Sequence, residues 1–184
     1  MSKPRSVRTA SGLPPWEGPP VPRGRSLVTG AGGFVGACLV RRLAEGGAEV
    51  PALVRPGGDR WRLRGLPRNV HSHAADLLDA AAIRRLLKRV RPYSIYHLAA
   101  HGAYSAQRDE DRILRTNLIG TLNLLRAAEP LPYRLFMNAG TSSEYGYKTR
   151  PMREDDVLRP SSCYAAAKAA QTYLAALEGQ KGRP

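Results

Sequence analysis

The chain has 184 residues and a mass of 20.1 kDa, with 42% hydrophobic and 24% charged residues. That is the make-up of one globular domain, neither fibrous nor collagen-like. No apolar run reaches the roughly 18 residues of a membrane span, nothing near the N-terminus reads as a secretory signal, and Cys38 and Cys163 stand too far apart for a disulfide framework or a metal-ligand spacing. A membrane protein, a knottin and a zinc module are thereby excluded, no metal site is expected, and the expected location is cytoplasmic.

Lys and Arg number 29 against 15 Asp and Glu, a formal net charge of +14. Of the 29, 24 are arginines. They are spread along the whole chain in short runs interleaved with apolar residues, such as Arg60-Trp61-Arg62-Leu63-Arg64. This reads as solvated basic faces more readily than as a nucleic-acid surface.

In chain order, residues 1–24 carry six prolines and three glycines and read as a disordered Pro/Arg-rich tail. Residues 25–184 read as one domain. Arg25–Thr29 is an apolar run ending in glycines, and from Phe34 apolar residues recur at helical spacing until Gly46-Gly47. Glu49–Arg55 predicts a second strand, Val70–Ala75 a weaker third, and Asp79 caps a helix running to Val90. Tyr93–Ala100 predicts a fourth strand, Asp109–Ala128 a long amphipathic helix, Arg134–Asn138 a fifth strand, and Ser162–Glu178 a last helix after a polar loop. Strands alternating with helices predict βαβ units, a parallel sheet with helices on both faces, and so a three-layer, doubly wound α/β fold of the Rossmann type.

Three motifs carry chemistry. Gly30, Gly33 and Gly36 in Thr29-Gly-Ala-Gly-Gly-Phe-Val-Gly36 lie between the first strand and first helix. Glycines there let the backbone turn tightly and approach a pyrophosphate, and the helix N-terminus offers free N–H groups. Tyr164 and Lys168 stand four apart on the last helix and share a face. The lysine charge is expected to lower the phenol's pKa and make it a general acid/base. Asn138-Ala-Gly-Thr-Ser-Ser-Glu-Tyr-Gly146 places a hydroxyl at the end of the fifth strand, on the edge where open α/β sheets bind ligands.

With these three motifs in order, residues 25–178 resemble the extended short-chain dehydrogenase/reductase superfamily, and within it the NAD-dependent epimerase/dehydratase family acting on nucleotide sugars. Asp76-Leu77, Tyr96-His97-Leu98-Ala99-Ala100 and the run from Asn117 to Leu125 match as well. The resemblance implies that Gly30, Gly33 and Gly36, with Phe34 and Val35 between them, hold the cofactor pyrophosphate. It implies that Asp76 and Leu77 border the adenine and that Ala99 and Ala100 lie near the ribose. Tyr164 is implied as the acid/base and Lys168 as the ligand of the nicotinamide ribose. The catalytic hydroxyl is Thr141 when counted from Tyr145 and Ser142 when counted from Glu144.

Where the family's NAD users carry an acidic residue at the end of the second strand, this chain has Arg55, with Arg60 nearby. An arginine there suits a 2′-phosphate, so NADP is expected over NAD. Members of the family usually continue well past the last helix into a substrate lobe. The expectation is therefore a domain without that lobe, an open pocket, and a homodimer or companion chain to complete it. The function implied is an NAD(P)-dependent epimerase, dehydratase or 4-keto reductase on a nucleotide sugar. A dinucleotide-binding remnant with little turnover and a nucleic-acid-associated basic protein are the alternatives.

Overall fold

The computed structural model describes residues 24–104 and 106–181. The expected tail lies outside the described residues except for Gly24. Five strands form one parallel sheet: β1 (Ser26–Thr29), β2 (Val50–Val54), β3 (Val70–Ala74), β4 (Ser94–His97) and β5 (Leu135–Asn138), in the order β3-β2-β1-β4-β5. Val28 stands opposite Ala52 on one side and Tyr96 on the other, and Ile95 stands opposite Phe136. The chain winds outward from β1 to β3, then crosses to β4, so the order reverses between β1 and β4. A sheet of this kind opens a crevice at that point, beyond the strands' C-terminal ends.

β1, β2 and β4 are buried along their whole length because both faces of the sheet are covered there, whereas the edge strand β3 is largely exposed. Leu27, Leu53 and Ile95 point into one core, where Ile83, Leu86, Leu87 and Val90 of α2 (Ala80–Val90) meet Leu124 of α4 (Gly120–Ala128). Val28, Ala52, Val54 and Tyr96 point into the other, against Val40, Leu43 and Ala44 of α1 (Phe34–Glu45). Asp79 caps α2 by accepting from the Ala82 N–H at 2.9 Å. Gly47 ends α1 with a left-handed φ of +86°.

Three elements differ from the sequence expectation. β4 stops at His97, three residues early. Beyond it the Leu98 and Ala99 N–H groups both donate to the Thr29 hydroxyl at 3.2 Å, which bends the chain away from the sheet and into the crevice wall. The long helix is divided into α3 (Glu110–Leu114), a π-helical turn (Arg115–Ile119) and α4. Ser142–Tyr145, expected as loop, forms a 3₁₀ turn. α5 (Cys163–Gln180) packs beside α3, the π turn and α4, with the Ser162 hydroxyl at its N-cap.

Candidate active site

The crevice over β1 and β4 has a volume of about 410 Å³ and is walled by Gly30, Gly32, Gly33, Val54, Arg55, Asp76, Leu77, Ala99, Ala100 and His101 among others. Its floor is the glycine loop, and the three glycines do different things. Gly30 has a left-handed φ of +66°, and a Cβ there would stand 2.7 Å from the Ala99 nitrogen. A Cβ at Gly36 would stand 2.2 Å from the Gly30 carbonyl oxygen, so this glycine lets α1 dock on β1. Gly33 meets only that same oxygen, at 3.2 Å, and is otherwise open. It stands at the N-cap of α1 with no side chain capping the first turn, whose free N–H groups suit an anion.

A dinucleotide therefore fits the floor of this cleft. Of the residues expected to touch it, Gly30, Gly33, Arg55, Asp76, Leu77, Ala99 and Ala100 line the crevice. Gly36, Phe34 and Val35 do not. Gly36 is spent on packing, and the Phe34 and Val35 side chains are exposed.

At the rim, His101 is held below its usual pKa, first by burial and then by the Arg112 and Arg55 charges. Arg55 and Arg112 both line the cleft, and the charge of each reaches His101; Arg112 played no part in the sequence reading. Arg60 is exposed and is not among the lining residues.

The catalytic candidates gather beyond the His101 end of the crevice, not in its walls. Gly102, at φ +94°, passes over Tyr164, and a Cβ on it would meet the Tyr164 ring at 3.2 Å. The Thr141 hydroxyl donates to Ser143 Oγ at 3.3 Å and lies close enough to the Tyr164 phenol to oppose the rise of its pKa. No such contact involves Ser142, which is exposed. Lys168, 2% exposed, donates to the Ala139 carbonyl and to Gln171 Oε1, each at 2.5 Å.

The expected electrostatics of the pair need correction. The Tyr164 pKa is raised, first by burial and also by the Glu144 carboxylate, while the nearby Thr141 hydroxyl opposes the shift. The Lys168 ammonium is turned to Ala139 and Gln171. Burial lowers the lysine itself to about 8, with Glu144 acting in the other direction.

Glu144 was used in the sequence only to count positions. It is buried, accepts from the Thr141 N–H at 2.9 Å and from the Thr172 hydroxyl at 3.1 Å, and its charge reaches both Tyr164 and Lys168. The signal that could have found it is Thr141-x-x-Glu144, the spacing of a capping box.

Residues 26–182 match the model of the NAD dependent epimerase/dehydratase family. The chain belongs to that family. Its members include epimerases and dehydratases of sugars joined to nucleotides. A UDP-glucose 4-epimerase of Mycolicibacterium smegmatis is 34% identical over 163 residues, covering 82% of this chain and 50% of the relative. A GDP-mannose 4,6-dehydratase of Sordaria araneosa is 33% identical over 162 residues, 82% of this chain and 29% of the relative. Among solved structures, the Thermus thermophilus UDP-glucose 4-epimerase in complex with NAD is 31% identical with a TM-score of 0.76, over 85% of this chain and 51% of that one. The chain thus spans about half or less of the length of these relatives. Its parallel sheet and flanking helices are theirs.

Proposed function

We propose that residues 24–181 carry the cofactor side and the catalytic hydroxyls of an NAD(P)-dependent epimerase, dehydratase or 4-keto reductase acting on a nucleotide sugar. The observation that carries this reading is the glycine-floored cleft with Tyr164 just beyond its His101 end, where Gly102 passes over the ring. Gly30 and Gly33 receive the pyrophosphate, with Asp76 and Leu77 at the adenine and Ala99 and Ala100 beside the ribose. Bound nicotinamide supplies the hydride chemistry. Tyr164, protonated at neutral pH by its raised pKa, holds a proton for the substrate oxygen, and Thr141 orients both. Lys168 holds the nicotinamide ribose. The facing wall of the sugar site comes from further protein, whether more of the same polypeptide, a second copy or a companion chain.

Arg55 and Arg112 make the rim suited to a 2′-phosphate, so the cofactor proposed is NADP(H) in preference to NAD(H).

Calorimetry with both cofactors, followed by turnover assays on UDP- and GDP-sugars, tests the reading. Binding at micromolar concentration is expected, and turnover, measured with any completing protein present, should fall about a hundredfold or more in Tyr164→Phe with cofactor affinity unchanged. No binding of either cofactor at millimolar concentration overturns it.

A further inference from the structure

We infer that Gln171 is a positioning residue: it holds the Lys168 ammonium against the end of β5 through a relay that starts at Asn138. The inference rests on Lys168 being the ligand of the cofactor ribose. Gln171 is 0% exposed and lies one turn beyond Lys168 on α5. Its Nε2 donates to Asn138 Oδ1 at 2.8 Å. That bond fixes which end of the amide faces the lysine, since only Oε1 is left to accept from Nζ.

Asn138 closes β5, so the relay ties the lysine to the sheet rather than to its own flexible stem. The Ala139 carbonyl, one residue on, takes a second N–H. An ammonium has three N–H bonds, so one remains for a ligand. Sealed from water, the pair has no solvent substitute if one partner is removed.

The charged and titratable groups whose fields meet Lys168 are Glu144 from the 3₁₀ turn and His97 from β4, with Tyr164 one turn earlier on its own helix. Glu144 alone is negative there. A neutral amide at position 171 leaves burial to dominate, in line with a lysine lowered to about 8. A carboxylate in its place would reverse that balance, and an apolar side chain would deepen it.

The test uses the whole chain with labelled lysine, whose five lysines give five side-chain NMR signals. Lys168→Met identifies the one that matters. Lys168 is expected to titrate near 8, about one unit higher in Gln171→Glu and about one unit lower in Gln171→Leu. Asn138→Ala, which does not touch the lysine, should move it down by less and serves if Gln171→Leu does not fold. NAD(P)H affinity should fall about tenfold in Gln171→Leu and stay within threefold in Gln171→Glu. An unchanged Lys168 titration in all of these variants overturns the relay. A shifted titration with unchanged affinities keeps the relay and overturns the reading of Lys168 as the ribose ligand.

Discussion

The three glycines of the loop separate folding from binding at single atoms. A methyl at Gly36 would meet the Gly30 oxygen at 2.2 Å, and both partners are backbone. Gly36→Ala is therefore expected to cost about 1–3 kcal/mol as helix and strand are pushed apart. A methyl at Gly33 needs only a few tenths of an ångström from an oxygen at 3.2 Å, but under the proposed function it occupies the approach to the cofactor. Thermal unfolding and calorimetry on the two variants should split cleanly. Gly33→Ala keeps its melting temperature and loses cofactor affinity, whereas Gly36→Ala loses stability first. A shared loss of stability would refute this division.

His97 gives a second single-residue prediction. Thr121 donates to the Asn117 carbonyl at 2.6 Å, so toward His97 its oxygen accepts from Nε2–H, at 2.8 Å. Nδ1 then accepts from the Thr29 hydroxyl at 2.7 Å, leaving that oxygen to receive the Leu98 and Ala99 N–H groups. The ring is neutral, and burial, with the Lys168 charge, lowers its pKa to about 3 from 6.5. A histidine depressed in the folded state contributes stability fully above the unfolded pKa of 6.5 and loses it as pH falls toward 3. The unfolded chain takes up the proton first, at about 1.4 kcal/mol per pH unit. Melting temperature should therefore drop between pH 6.5 and pH 4.5, and His97→Asn should flatten that slope. Parallel slopes for the two proteins would overturn the assignment.

At the scale of elements, the sheet and the helices that flank it were legible because periodicity, caps and glycine stops agree along the chain. Asp79, Ser162 and Gly46-Gly47 each mark an end that the backbone confirms. The π turn was not legible, because its cause is a tertiary bond rather than a propensity. Asn117 accepts from the His101 N–H and donates to the His101 carbonyl, both at 2.8 Å. It pairs with that peptide as a neighbouring strand would, and the helix widens at Arg115–Ile119 to present it. The same explanation covers β4, whose apparent length hid a side-chain bond to Thr29. In the site, residue types were readable but their orientations were not: the sequence spacing suggested Lys168 acting on Tyr164, whereas Gln171 and Ala139 hold it. Asn117→Leu removes two buried bonds from the crevice wall and is expected to cost about 2–4 kcal/mol. Amide exchange at His101 should rise with it. Protection there equal to the parent's would show that another contact holds the wall.

At the scale of the molecule, the charge of +14 and the arginines at the cleft mouth both attract anions, and the two contributions differ in range. The overall field acts over about 10 Å at 0.1 M salt and shrinks to about 4–5 Å at 0.5 M. A guanidinium in contact with a 2′-phosphate is closer than that and keeps its forked hydrogen bonds. Both Arg55 and Arg112 are exposed, so part of even the local term is screened. The ratio of NADP(H) to NAD(H) affinity, taken at 50 mM and 500 mM salt, should therefore shrink without reaching one. In Arg55→Gln the residue left at high salt should fall further, because Arg112 then faces the phosphate alone. A ratio that collapses to one at 500 mM in the parent would assign the preference to the general field. A ratio below one at both salts would mean that the rim accepts the 2′-hydroxyl, and that NAD(H) is the cofactor despite the arginines.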